Sequence, residues 1–400
     1  MRKKYKRFLL TYLTFLLAFS IPILMNLIFI HHAYENSPFF DIAGEQQKEN
    51  AIYGTALNQN TFSYKLELVR WVKPEVITLG SSRVLELREE FFHVRFMNCG
   101  GAMNQLNEGR MFLEKMVTFH KPKLVLLGID FWWFSETNRM PERYDYHQND
   151  GATLTFEKIT KPFIYLFQSK LSLKQYFSVL FLKDRKNGVT NYDNMGLRAI
   201  RDSDGFRKDG SALYGGTIFS FTPSAPRKID FLNFGNEKAS PSRGFNYQET
   251  FLEKRVEELN RMIKLCRDFN IDLVLFLPPI SRAAYKRFFS MPDIYQFVQR
   301  LEGSLSMSSK ETYNFHNILD IGSNDCECID SVHIGDVAYQ RLLLTLLKKN
   351  PNTCMKDYLN VERMEAAIHH FSGKTLTIFK NDEEKFNLPE IDFLKMGCRK

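Results

Sequence analysis

After residue 30 the chain has no uncharged apolar run long enough to cross a bilayer, which rules out a multi-pass helical protein for the bulk of its 400 residues. It also lacks internal repeats and low-complexity tracts, so solenoid and fibrous architectures are excluded. Surplus charge is scarce. The formal net charge is +8, but Arg2, Lys3, Lys4, Lys6 and Arg7 supply five of those charges, leaving 8 − 5 = +3 for everything downstream. A nucleic-acid binder concentrates basic residues on one face, so none is expected as a partner. Six cysteines, Cys99, Cys266, Cys326, Cys328, Cys354 and Cys398, suit an oxidising compartment without fixing a connectivity. Cys326, Cys328 and His333 do not match standard zinc spacing, so neither a metal nor another cofactor is expected.

The N-terminus is rich in what the remainder lacks. From Phe8 to Ile30 run 23 residues without a charge, FLLTYLTFLLAFSIPILMNLIFI, enough helix for a hydrocarbon core of about 20 residues. The basic residues 1–7 before it and the weakly charged HHAYENSPFF after it place the N-terminus inside by the positive-inside rule. A cleaved signal peptide is the rival reading. The run is longer than an ordinary signal core, however, and no clean small-x-small site follows it. The expectation is therefore a single-pass protein: tail 1–7, span 8–30, juxtamembrane connection 31–74 and an extracytoplasmic body.

The body alternates short apolar runs ending in Gly, Asn or Pro with amphipathic stretches, the pattern of βα units around a parallel sheet. Five strands are expected, at Glu75–Gly80, Val94–Gly100, Lys123–Asp130, Ile271–Pro278 and Tyr313–Ile321. Helices are expected over Gln105–Phe119, Gln248–Phe269 (Phe251, Val256, Leu259 and Ile263 at spacings of three to five), Ile294–Leu305 and Val337–Lys349. The fold class is α/β, with one domain spanning 75–349, a long insertion at 131–247 after the third strand and a small C-terminal appendage at 350–400. Aromatic residues in the insertion argue against disorder.

Three segments suggest chemistry. Gly80-Ser81-Ser82-Arg83 follows the first strand, where a serine hydroxyl at a strand-to-helix turn reaches the carboxyl edge of the sheet near a helix N-terminus. In Asp330-Ser331-Val332-His333 the carboxylate can orient the imidazole while the other ring nitrogen takes a serine proton; the bland alternative is a capping Asp beside an exposed His. The ends of the second and third strands, Asn98-Cys99-Gly100-Gly101-Ala102-Met103-Asn104 and Gly128-Ile129-Asp130, can offer amides and a side-chain donor to a bound oxygen.

In combination and order these segments resemble the successive blocks of the SGNH (GDSL-like) hydrolase superfamily, over roughly Glu75 to Lys349. The resemblance implies an SGNH-type three-layer fold with a five-stranded parallel sheet. It is closest to the membrane-anchored, extracytoplasmic branch that acts in exopolysaccharide O-acetylation or teichoic acid D-alanylation, and so implies a bacterial cytoplasmic membrane. By position it implies Ser82 as nucleophile, His333 as general base, Asp330 as its orienting acid and the backbone of Ser82 and Gly100 as oxyanion donors. The implied partners are an envelope polysaccharide or acyl donor, the lipid bilayer and a multi-pass membrane-bound O-acyltransferase. The function it implies is transfer or removal of ester-linked acyl groups on an envelope glycan. Alternatives are a stand-alone esterase or deacetylase, or a non-catalytic scaffold.

Two positions depart from the superfamily pattern. Ser81 replaces the usual Asp, and Asp130 replaces an Asn; an ionised Asp130 would repel an oxyanion. Activity therefore requires Asp130 to turn away, to pair with a cation such as Arg83, or to stay protonated, with Asn104 supplying the donor instead.

Overall fold

The computed structural model describes residues 2–49, 51–57, 60–134, 151–182, 185, 192–215, 253–282, 284–286, 300–301, 303–304 and 311–377. Most of the expected helix Ile294–Leu305, the start of Gln248–Phe269, and Cys398 lie outside these residues. Along the chain the helices are α1 (Arg2–His32), α2 (Phe39–Glu49), α3 (Thr61–Val72), α4 (Leu106–Met116), α5 (Phe156–Phe167), α6 (Leu173–Leu180), α7 (Leu197–Asp202), α8 (Glu253–Asp268), α9 (Asp336–Lys349) and α10 (Val361–Phe371). The strands are β1 (Ile52–Tyr53), β2 (Val76–Gly80), β3 (Phe96–Gly100), β4 (Leu124–Gly128), β5 (Asn194–Met195), β6 (Asp204–Phe206), β7 (Ala212–Tyr214), β8 (Asp272–Leu277) and β9 (Thr312–Asn314).

Residues Lys4–His32 of α1 form a helix long and apolar enough to cross a membrane, with mean hydropathy 2.4 over its best window. Its first part is exposed along its whole surface. From Asn26 onward it is gripped by the body.

The main sheet is five-stranded and wholly parallel, in the order β3-β2-β4-β8-β9. Its strands read as unbroken apolar runs because both faces are covered. In β4, Val125 and Leu127 point into the core shared with α3, α4 and α8, while Leu124 and Leu126 point into the core shared with α9 and α10. The same alternation puts Leu275 and Leu277 of β8 in the first core and Val274 and Phe276 in the second. All five sequence-expected strands are present, four with tighter limits; the fifth covers only Thr312–Asn314, and the end of its expected run, Ile318–Ile321, is a 3₁₀ turn. β2 precedes β3 and β4 in the chain yet lies between them, so their connections leave in opposite directions and open a crevice at their carboxyl ends.

A second, four-stranded sheet, β5-β1-β6-β7, changes the expected division of the chain. Its β1 comes from the juxtamembrane region, whereas β5, β6 and β7 come from the insertion. Residues 31–74 are therefore more than a connection: α2, β1 and α3 belong to the core, with Phe39, Leu68 and Val69 buried in it. The described part of the C-terminal segment, residues 351–377, is likewise integrated rather than appended. Met364 and Ala367 of α10 lie in the same core as Leu342 and Leu346 of α9, and Thr377 is buried.

A buried polar network joins the C-terminal segment to α9 and to the stretch after β2. Arg88 pairs with Asp336 at 3.2 Å and donates to the Thr377 carbonyl, and Asp336 accepts from the Thr377 amide. Burial among these groups pushes the Glu86 carboxyl up to about 8 and that of Asp336 up to about 6. In the unfolded chain both titrate near their usual values of 4.5 and 3.8. The native state thus holds protons that the unfolded state has released, and stability is expected to fall as pH rises across roughly 4 to 8. Thermal unfolding of the full chain as a function of pH tests this; Glu86→Gln should flatten the upper part of that slope, and an unchanged slope would assign it to other groups.

Candidate active site

Ser82 sits at the carboxyl edge of the sheet because the chain turns sharply after β2. Gly80 and Gly128 lie side by side there, and a Cβ on Gly128 would fall 2.3 Å from Val84 Cγ1, so glycine lets the turn fold down onto the strand ends. Ser81 caps the turn by accepting from the Arg83 amide at 3.2 Å. No α-helix follows, contrary to expectation. Ser82–Val84 is a single 3₁₀ turn, and Asn98 Nδ2 donates to the Val84 and Leu87 carbonyls at 2.8 Å each, which ties the turn to β3. The serine is therefore not served by a helix macrodipole.

His333 arrives on a loop that braces itself. Asp330 Oδ1 accepts from the backbone amides of Val332 and His333, each at 2.8 Å, and the His333 carbonyl accepts from the Ile329 amide at 2.8 Å. The loop is tied to the end of β8 by the Ser281 amide, which donates to the Ser331 carbonyl at 2.9 Å. Ser82 Oγ lies 2.9 Å from His333 Nε2, and His333 Nδ1 lies 2.8 and 2.9 Å from the two Asp330 oxygens. Burial works against the Asp330 charge, but the adjacent imidazole and these hydrogen bonds hold its carboxyl down to about 2. An ionised Asp330 on Nδ1 fixes the ring so that Nε2 faces the serine, the arrangement that lets an imidazole accept a hydroxyl proton.

Asp130, one of the two departures from the motif pattern, lies in the core. Asp130 is fully buried and paired with Arg83 Nη1 at 3.1 Å. Burial raises its carboxyl above the usual range and Arg83 opposes that rise. It does not line the cavity beside Ser82, whereas Asn104 does. Asp130 is thus held away from the position where it would repel an oxyanion. Arg83 also donates to the carbonyls of Val332, Pro278 and Pro279, so one guanidinium joins the serine turn, the end of β8 and the histidine loop.

Gly100 does not stand as expected. Its amide donates to Asn98 Oδ1 at 2.7 Å, and the Gly101 amide donates to the Gly80 carbonyl at 3.0 Å, so neither points freely at a bound oxygen. The Asn98 side chain, which the motif reading left without a role, is the cause. Among the residues lining the cavity with Ser82, Asn104 offers an exposed side-chain amide.

The cavity itself holds about 370 Å³ and runs from Ser82 to the small sheet. Its walls include Tyr53, Phe62, Phe206 and Tyr214, together with Arg198, which is ion-paired to Asp204. The Tyr214 ring centroid lies 6.3 Å from that of His333. Tyr53 and Tyr214 carry no motif signal, since they reach the site through pairing of strands far apart in the chain. Cys99, Cys266, Cys328 and Cys354 are free thiols, and Cys326 is disulfide-bonded. No protein-family model matches this chain, and no curated protein does so either.

Proposed function

We propose that this chain is a membrane-anchored serine acyltransferase or esterase of SGNH type, acting outside the cytoplasmic membrane on ester-linked acyl groups of an envelope glycan. The observation that carries the reading is the hydrogen-bonded series Ser82, His333, Asp330 at the mouth of a cavity. Ser82 Oγ attacks the acyl carbonyl as His333 Nε2 takes its proton, and the alcohol leaves with that proton. The acyl-serine ester then passes its acyl group to a sugar hydroxyl or to water, again with His333 as base. The Ser82 amide and the Asn104 side chain serve as donors to the developing oxyanion. Tyr53, Phe206 and Tyr214 give the cavity apolar faces on which a sugar ring stacks.

Fluorophosphonate labelling of the full-length protein in membranes tests the reading, since only an activated serine reacts. Absence of labelling would favour the scaffold alternative. Topology is tested separately. A reporter active only in the cytoplasm, fused after Lys400, is expected to stay dark, because basic residues 2–7 hold the N-terminus inside. A bright signal would reverse the orientation and remove the envelope substrate.

A further inference from the structure

The hairpin of α5 and α6 has two faces with different surroundings. One is joined to the end of α1: Tyr176, Val179 and Leu180 share a buried cluster with Phe29, Ile30, Leu197 and Ile200, and the Tyr176 ring stacks on Phe29 at 4.7 Å. Asn26, a polar residue inside the apolar run, is satisfied by both helices. Its Nδ2 donates to the Ile159 carbonyl and its Oδ1 accepts from the Tyr176 hydroxyl, each at 2.7 Å. Away from these contacts the two helices carry Phe156, Ile164 and Phe167 on α5, then Leu173 and Phe177 on α6 and Phe181 just past its end, all exposed. Phe156 and Phe167 are 81% and 88% exposed, far more than a water-facing surface usually tolerates for rings clustered together. Their spacing, 156, 164, 167 and 173, 177, 181, keeps them on one stripe of each helix.

The position of the hairpin along α1 indicates what covers that stripe. Between Phe8 and Asn26 the apolar run rises about 27 Å at 1.5 Å per residue, just short of a hydrocarbon core about 30 Å thick. The hairpin therefore meets α1 where acyl chains give way to headgroups. Its charge fits that depth: residues 151–182 contain Lys158, Lys161, Lys170 and Lys174 against Glu157 alone, a balance of 4 − 1 = +3. Lys158 is buried on the Gly151 carbonyl, but Lys170 and Lys174 are exposed, and Lys161 and Lys170 both lie over the Tyr165 ring. Aromatic and aliphatic residues on one face with lysines beside them make up an interfacial helix that binds anionic lipid.

We propose that α5 and α6 form a second membrane contact, a hairpin lying in the outer-leaflet interface of the bilayer that α1 crosses. Its apolar stripe enters the upper acyl chains, and the exposed Lys170 and Lys174 meet the phosphates of anionic lipids, while Lys161 is paired with Glu157. The body is then held by a spanning helix and a platform together, which restricts its tilt on the membrane. The inference rests on α1 spanning the bilayer and is independent of the chemistry at Ser82.

The test uses the full chain in nanodiscs of anionic phospholipid carrying bromine on the upper part of the acyl chain, compared with unbrominated nanodiscs. Phe167→Trp, Phe177→Trp and, within α1, Phe15→Trp each add one indole to the native background of Trp71, Trp132 and Trp133. The added emission at Phe167→Trp and Phe177→Trp is expected to be mostly lost in brominated lipid. Unquenched emission at both, with Phe15→Trp quenched by lipid brominated deeper in the chain, would overturn the hairpin proposal and leave water or a protein as the covering. Unquenched emission at Phe15→Trp as well would overturn the anchor reading itself.

Discussion

Replacing Ser82 with alanine is expected to abolish fluorophosphonate labelling and to reduce acyl turnover by about 10⁴-fold or more, the scale seen when a serine relay loses its nucleophile. Ser82 is exposed and among the described residues its hydroxyl bonds to His333, so the change should cost no more than about 0.5 kcal/mol of stability. His333→Ala should cost a comparable factor, and the double variant little more, because the two residues act as a unit. Asp330→Asn should also impair turnover severely, since an amide facing Nδ1 favours the wrong tautomer. The readouts are rate of labelling and folded yield, measured together. Full labelling of Ser82→Ala would remove the nucleophile from the proposal; full labelling of His333→Ala would leave a reactive serine but no relay.

Arg83→Met is expected to be the most destabilising single change near the site. Arg83 and Asp130 are each 1% exposed and paired at 3.1 Å, and the same guanidinium serves the carbonyls of Val332, Pro278 and Pro279. Removing one partner of a buried ion pair leaves an uncompensated charge, at about 3 to 5 kcal/mol. Adding Asp130→Leu should recover part of that loss, because the stranded carboxylate disappears, though the orphaned carbonyls remain. Thermal or denaturant unfolding of the two variants decides the point. If Arg83→Met costs no more than a surface substitution, the pair does not hold the site together. Asp130→Asn separates the structural role from a catalytic one: with the carboxylate already turned from Ser82, removing its charge should not raise the labelling rate.

The motif pattern carried much of the site because each element is short and local. Asp330 and His333 are three residues apart, so their pairing follows from a tight loop, and Ser82 follows directly on an apolar run ending in glycine. The oxyanion side was less legible. Gly100 was expected to donate, but its amide is taken by Asn98, whose side chain also holds the carbonyls of Val84 and Leu87 in the segment after Ser82. Nothing local in FMNCGG distinguishes a strand asparagine that faces solvent from one that organises two loops. Asp130 presented the same difficulty, since its partner is 47 residues away in the chain.

Local patterning by itself determined the apolar helix at the N-terminus, the five parallel strands and the order of the chemical segments, because hydrophobic period and glycine placement act within a few residues. Tertiary structure alone decided that the juxtamembrane segment supplies β1 to a sheet completed by the insertion, that the C-terminal segment closes the core over α9, and that Tyr53 and Tyr214 line the cavity. The sheet and the cavity depend on pairings across more than a hundred residues, and all three on which faces become buried together. No propensity or spacing along the chain encodes that choice directly.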